Sequence, residues 1–204
     1  LWRLLKTWYA DIKCRVRVGD TLSSEFKIQQ GVFQGGKWSM ILFEHFYNEL
    51  LVSIADSNVG CRLFDTIVTC PTYADDLALI ALYPQTMQFL IDLVYNYANK
   101  WRLQFNPSKS TIIKLPISNE ENSIKFFIGI NEIACAKNAK HLGICIADEE
   151  TVVNEMISKG RKSFNAMLGI GSHTGGLNPV IGSKLYWSCV IPAMLYGFEI
   201  LALS

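Results

Sequence analysis

The sequence has no paired-cysteine motif, few histidines and no apolar stretch long enough to cross a bilayer. Its six cysteines (Cys14, Cys61, Cys70, Cys135, Cys145 and Cys189) lie singly, and so do its three histidines, His45, His141 and His173. That scatter argues against a zinc module and fits thiols used as small core residues in a reducing compartment. The longest apolar run, 189–203, is interrupted by Pro192 and Glu199 and is too short for a membrane span. A signal-peptide pattern, internal repeats and low-complexity tracts are also missing. Half of the 204 residues are apolar, so a packed globular chain is expected rather than a disordered one. The expected location is intracellular, in nucleus or cytoplasm, without membrane association.

Net charge is small as well, at +1, but it is unevenly spread. Residues 1–37 sum to +4, residues 38–98 to −6 and residues 99–204 to +3. An acidic centre between basic flanks suits a metal site bordered by phosphate-contacting surfaces, and equally suits ordinary solvated faces. At the middle of the acidic segment stands Thr72-Tyr73-Ala74-Asp75-Asp76-Leu77, set between the apolar runs Ile67-Val68 and Leu77–Ala81. Short apolar runs without a helical period predict strands, and Ala-Asp-Asp marks the tight turn between them. At such a turn both carboxylates can reach one point, which is costly unless a cation neutralises them. Oxygen-only ligands suit magnesium, shared with substrate phosphates, and hence phosphoryl or nucleotidyl transfer. Taken alone, the same letters also describe a solvated acidic turn.

Around this turn the chain predicts a regular alternation of elements. Leu1, Leu4, Leu5 and Trp8 have helical spacing, and Ile12–Val18 alternates apolar with basic as a half-buried strand would. Its outward row, Lys13, Arg15 and Arg17, either faces phosphates or is a plain solvated face. Gly19-Asp20 turns the chain into a returning strand over 25–28. Gln29–Trp38 is a loop with Gly31, Gly35 and Gly36, where backbone can approach a ligand closely. Ser39 is the expected N-cap of a helix carrying Leu42, Phe46, Leu50 and Ile54 on one stripe. The loop is an anion site or a connecting turn. A second helix is expected over 85–101, with Met87, Leu90, Ile91, Val94, Tyr95 and Ala98 inward. Short strands follow over 111–115, 124–128, 132–136 and 141–147, broken by Gly129 and Gly143, with a surface loop at 118–123. Asp148-Glu149-Glu150 opens a helix near 152–168, and a Gly-rich link at 169–176 leads to a last helix near 179–203. The fold class is α+β, a small antiparallel sheet with helices on one face, followed by a helical tail.

Four blocks in this order resemble one family. Gly31-Val-Phe-Gln34-Gly35-Gly-Lys-Trp-Ser39-Met-Ile-Leu42-Phe43 resembles the Gly-rich block of reverse transcriptases, and Tyr73-Ala74-Asp75-Asp76 their metal-binding hairpin. Asn106-Pro-Ser-Lys109-Ser110 resembles a later Asn-x-x-Lys-Thr block, and His141-Leu142-Gly143 the turn of the primer grip. Leu185-Tyr186 and Pro192-Ala-Met-Leu-Tyr196-Gly197 look like the thumb of LINE-type (non-LTR) retrotransposon polymerases. The resemblance implies a partial palm over 1–147 and a helical thumb over 148–204. It implies magnesium, with manganese as an alternative, held by Asp75 and supported by Asp76. Tyr73 would pack under the primer end, while Gln34, Gly35 and Ser39 would lie along the nascent pair and template. Lys109 would assist the leaving group, and Gly143 would sit in the primer-grip turn. The implied partners are an RNA template, a DNA primer and dNTPs, recognised by backbone and shape.

The departures are specific. Met40 stands where the family has proline, and a helix continues through methionine as readily as it starts with proline. No block in Leu1–Ile28 matches the strand carrying the family's first catalytic aspartate, and Asp11 reads as a surface turn acid. The expectation is therefore a portion of the polymerase whose fingers and first palm block lie outside this chain, inactive or nearly so by itself. A non-catalytic remnant that binds nucleic acid or a protein partner is the alternative. An unrelated magnesium phosphohydrolase would need a further carboxylate or histidine beside the hairpin, and none is well placed.

Overall fold

The computed structural model describes residues 1–115, 124–169, 176 and 178–200. The chain divides into two compact units, Leu1–Val52 and Ser53–Ser204. The first opens with helix α1 (Trp2–Ala10), which buries none of its residues and leaves Leu4 and Trp8 exposed. The segment expected as one half-buried strand is two short ones, β1 (Lys13–Cys14) and β2 (Arg17–Val18). They pair with β3 (Thr21–Leu22) and β4 (Phe26–Lys27), β2 with β3 and β1 with β4. Between the two ladders Ser23 N–H donates to the Val16 carbonyl at 2.9 Å, while Val16 N–H donates to the Ser23 hydroxyl at 3.0 Å instead of its carbonyl. Ile12 is buried, yet Val16 and Val18 are exposed, so half-burial stops at Cys14. The basic row is met inside the hairpin: Lys13 and Arg15 reach Glu25 at 2.9 and 3.4 Å, and Arg17 reaches Asp20 at 3.8 Å. Asp11 follows α1 and pairs with Lys27 at 2.7 Å, a contact that holds its carboxyl below the ordinary value.

Helix α2 (Lys37–Asp56) forms on the expected stripe, with Leu50 and Ile54 fully buried and Tyr47 beside them. Ser39 is not its cap. The helix opens at Lys37, which puts Ser39 inside the first turn, where it is buried. Its N–H donates to the Gly36 carbonyl at 3.1 Å and its hydroxyl lies 3.4 Å from that of Tyr9.

In the second unit, β5 (Cys61–Leu63) and β6 (Thr66–Val68) form an antiparallel hairpin. The Ile67-Val68 run thus pairs backward and not with the acidic hairpin, which is β7 (Thr72–Tyr73) and β8 (Asp76–Leu77). Helix α3 (Pro84–Trp101) starts on a proline, whose missing N–H costs nothing at a helix start, and stops at Arg102 in the left-handed region, φ 57°. It buries Leu90, Ile91, Val94, Tyr97 and Ala98. Strands β9 (Thr111–Ile113), β10 (Phe126–Ile128) and β11 (Asn131–Ala136) make a sheet in the order β10-β11-β9. The β10–β11 pair is antiparallel, but β11–β9 is parallel, so the single antiparallel sheet expected is replaced by small ladders and one mixed sheet. Ile91, Ile112, Phe126, Ile128 and Ile133 form its core cluster under α3. The Gln88 side-chain amide completes the edge of β10, donating to the Phe127 carbonyl at 2.8 Å and accepting from its N–H at 3.0 Å.

The strand expected over 141–147 is a hairpin, β12 (Ala139–His141) and β13 (Ile144–Ile146), reversing at Leu142-Gly143. Asp148 then caps α4 (Glu149–Gly169): its carboxylate accepts from Thr151 N–H at 3.0 Å and from the Thr151 hydroxyl at 2.6 Å. The last helix is not continuous. It comprises α5 (Pro179–Leu185), a π turn over Tyr186–Val190 and α6 (Ile191–Leu195). Pro192 has no N–H for the Ser188 carbonyl, and the wider turn accommodates that loss. Helix α4 meets α6 where Gly160 lets Met194 approach; a Cβ there would lie 3.0 Å from Met194 Sδ. The expected loop at 118–123, most of the 169–176 link and the end of the last helix lie outside the described residues.

Two outcomes follow from this packing. Leu90→Ala removes a fully buried side chain and should cost about 2–5 kcal/mol in urea unfolding. The hydrogen bonds from Thr151 hold the Asp148 carboxyl below its ordinary value of 3.8. A group lowered in the folded state stabilises it above the unfolded value, and the contribution disappears as pH falls through the folded value. Asp148→Ala should therefore melt lower than the unaltered chain at pH 6, and the gap should close in acid below the folded pKa.

Candidate active site

The acidic hairpin is longer than its two short strands. Tyr73 pairs with Asp76 and Thr72 with Leu77. The ladder continues through Ala78 N–H to the Pro71 carbonyl at 3.0 Å and Ile80 N–H to the Thr69 carbonyl at 2.7 Å. Its base is fastened at several points. The Thr69 hydroxyl, buried, donates to the Val59 carbonyl, and the Thr72 hydroxyl donates to the Cys70 carbonyl at 3.0 Å. Burial pushes the Cys70 thiol up, so it stays protonated and inert. Leu79, on the outgoing arm, packs against the core cluster of α3 and the mixed sheet.

The tip is built differently. A two-residue turn needs a left-handed residue to match the strand twist, and Ala74 supplies it at φ 53°. That conformation costs a residue with a Cβ about 1–2 kcal/mol, and alanine is the smallest side chain that can bear it. Asp75 completes the turn and Asp76 opens β8 directly across from Tyr73. Both acids and the Tyr73 ring are exposed, and among the described residues neither carboxylate has a hydrogen-bond or ion-pair partner. Two neighbouring carboxylates without a counter-charge repel, and a cation relieves that repulsion. Their chemistry fits a hard divalent ion that keeps most of its water, such as magnesium. No third His, Cys, Asp or Glu joins them in a metal-sized group among the described residues. A shallow depression of about 310 Å³ lined by Ser57, Val59, Gln85, Thr86 and Phe89 includes no residue of this hairpin.

Lys109 sits in a second compact turn, and its neighbours explain the spacing. The Asn106 side-chain oxygen accepts from Ser108 N–H at 3.0 Å and from the Ser108 hydroxyl at 2.6 Å. The Asn106 carbonyl accepts from the N–H groups of Lys109 and Ser110, both at 3.1 Å, and from the Ser110 hydroxyl at 3.0 Å. Asparagine and serine are used here because they satisfy a turn's backbone from their own side chains. The Lys109 side chain is left exposed, with no ion pair among the described residues. Phe105 before this turn and Ile112 after it join the same core cluster as Leu79. The acidic hairpin and the lysine turn are thus fastened to one apolar base, although no bond links Lys109 to either aspartate.

Gly143 lies at the β12–β13 tip, where Leu142 and Gly143 take φ 51° and 79°. Both carbonyls of that tip are occupied: the Tyr196 hydroxyl donates to Leu142 at 3.0 Å and Lys159 Nζ to Gly143 at 2.7 Å. The remaining expected residues belong to the first unit. Gln34 and Gly35 form an exposed turn, with Gly35 at φ 86°. Ser39 is buried behind them, and Phe33 lies 6.5 Å from the Tyr9 ring.

Sequence reasoning placed Ala74, Asn106 and Tyr196 in their motifs without the backbone roles they have here, and it overlooked Lys159. Turn chemistry around Asn106 was a usable signal; a half-buried lysine on a helix gives none. Ala74→Ile places a β-branched residue at positive φ and should speed amide hydrogen exchange over residues 75–78, whereas Ala74→Gly should not.

Residues 2–146 match the profile of the reverse transcriptase (RNA-dependent DNA polymerase) family. The match runs from α1 to the end of β13 and takes in the glycine loop, the acidic hairpin, the lysine turn and the 142–143 tip. No curated protein matches the chain. With most of its length covered by that profile, the chain belongs to the reverse transcriptase family.

Proposed function

We propose that the chain is part of the palm, over residues 1–147, and the thumb, over residues 148–204, of a LINE-type reverse transcriptase. Its substrates in this reading are an RNA template, a DNA primer and dNTPs. The observation that carries it is the acidic hairpin: two exposed carboxylates, without a partner among the described residues, on a turn whose outgoing arm packs on the core through Leu79. The Leu185–Gly197 segment and its likeness to thumb sequences support the LINE-type assignment. No helix among the described residues is long and apolar enough to cross a membrane.

Each residue then has a task. Asp75 is the principal carboxylate for magnesium or manganese, and Asp76 supports it. The ion, when bound, offsets negative charge on the reacting phosphate oxygens. Tyr73, across the hairpin from Asp76, offers its exposed ring to the primer end. Gln34 and Gly35 lie against the template and nascent pair, while buried Ser39 holds their loop to the helix. Lys109 presents an exposed cation to the pyrophosphate, and Gly143 lies against the primer.

Two protein ligands hold magnesium weakly, since an affine site needs more converging oxygens. The isolated chain should therefore extend oligo(dT) on poly(rA) no better than its Asp75→Asn variant. Robust incorporation by the isolated chain would overturn that expectation. Binding of an RNA–DNA hybrid should weaken steeply with salt and strengthen with magnesium only when Asp75 is present. Binding indifferent both to magnesium and to Asp75→Asn would favour a non-catalytic remnant.

A further inference from the structure

The tip of the β12–β13 hairpin is held by side chains from two separate stretches of the helical region. Lys159, on α4, donates to the Gly143 carbonyl at 2.7 Å. Tyr196, immediately after α6, donates to the Leu142 carbonyl at 3.0 Å. The Lys159 ammonium lies 5.8 Å from the centre of the Tyr196 ring, so the two donors also attract each other. Further contacts flank them. Lys140 of β12 pairs with Glu155 of α4, and Ile144 of β13 packs on Gly197, where a Cβ would stand only 3.0 Å from Ile144 Cγ1. Despite these ties, Leu142 and Gly143 remain exposed.

A two-stranded hairpin is marginal in water by itself. Left alone, its tip would sample several turn geometries, and Leu142, which has a Cβ, resists the left-handed backbone that it adopts here. Two donors on consecutive carbonyls remove that freedom. We propose that Lys159 and Tyr196 are positioning residues: they fix the 142–143 tip so that hairpin and helices engage a nucleic-acid strand as one body. The proposal rests on the polymerase reading, in which Gly143 lies against the primer.

Three variants of the full chain test it. Tyr196→Phe removes one hydroxyl and leaves the ring. Lys159→Met keeps the stem over that ring and removes the donor, while Lys159→Arg retains a donor. Amide hydrogen exchange over 139–146 and anisotropy binding of an RNA–DNA hybrid at fixed salt are the readouts. Tyr196→Phe and Lys159→Met should each speed exchange at the tip and weaken binding about two- to tenfold, the range one hydrogen bond commands. Lys159→Arg should restore both. Weaker binding in Lys159→Met with none in Tyr196→Phe would overturn the proposal, because Lys159 would then be a direct phosphate contact. Unchanged exchange in both variants would overturn it too. An unaltered chain that binds no hybrid even at low salt would overturn the polymerase reading itself, and this role with it.

Discussion

One apolar cluster carries the weight of the second unit. Ile91, Ile112, Phe126, Ile128 and Ile133 bring α3 onto the β10-β11-β9 sheet, and Leu79 and Phe105 pack against it from outside. Burying a large aliphatic or aromatic side chain is worth about 1.5–3 kcal/mol. A surface hydrogen bond contributes less, and a two-residue turn with a left-handed alanine works against itself. The acidic hairpin and the lysine turn therefore hold their places through Leu79, Phe105 and Ile112 and not through bonds at their tips. Charged groups can then stand in water, unpaired, without loosening the elements that bear them.

Much of this was legible in the sequence wherever a period or a turn rule applied. The stripe Leu42, Phe46, Leu50, Ile54 and the inward face of α3 read correctly because burial follows the 3.6-residue repeat over many residues. Reading failed where turns lacked their usual residues. The β5–β6 hairpin escaped notice because Phe64, a large aromatic at φ 54°, stands where glycine or asparagine would announce a reversal. Leu142 at φ 51° likewise disguised the β12 arm, although the resemblance had placed a turn at Gly143. Parallel pairing of β9 with β11 joins distant segments and leaves no local mark at all.

At the candidate site the division is similar. The two aspartates stood out because adjacent acids between apolar runs repel unless neutralised, although the same letters also describe a solvated acidic turn. Asn106 announced a turn, and the structure shows why, with its side chain and carbonyl meeting donors from Ser108, Lys109 and Ser110. Ser39 was misread because a serine before a helix is usually a cap, whereas here the helix begins at Lys37 and the hydroxyl turns inward to Tyr9. Lys159 gave no sign of itself, since its partner is a backbone carbonyl sixteen positions earlier.

The π turn at Tyr186–Val190 has a geometric result for everything beyond it. There Ile191 N–H bonds back to the Tyr186 carbonyl, one residue further than in an α-helix. One extra residue rotates the following segment by about 100° relative to an unbroken helix. Beyond that phase slip, Met194 stands against Gly160 of α4. A single residue added or removed between 186 and 190 would swing the Met194 side chain off α4 and carry Tyr196 away with it.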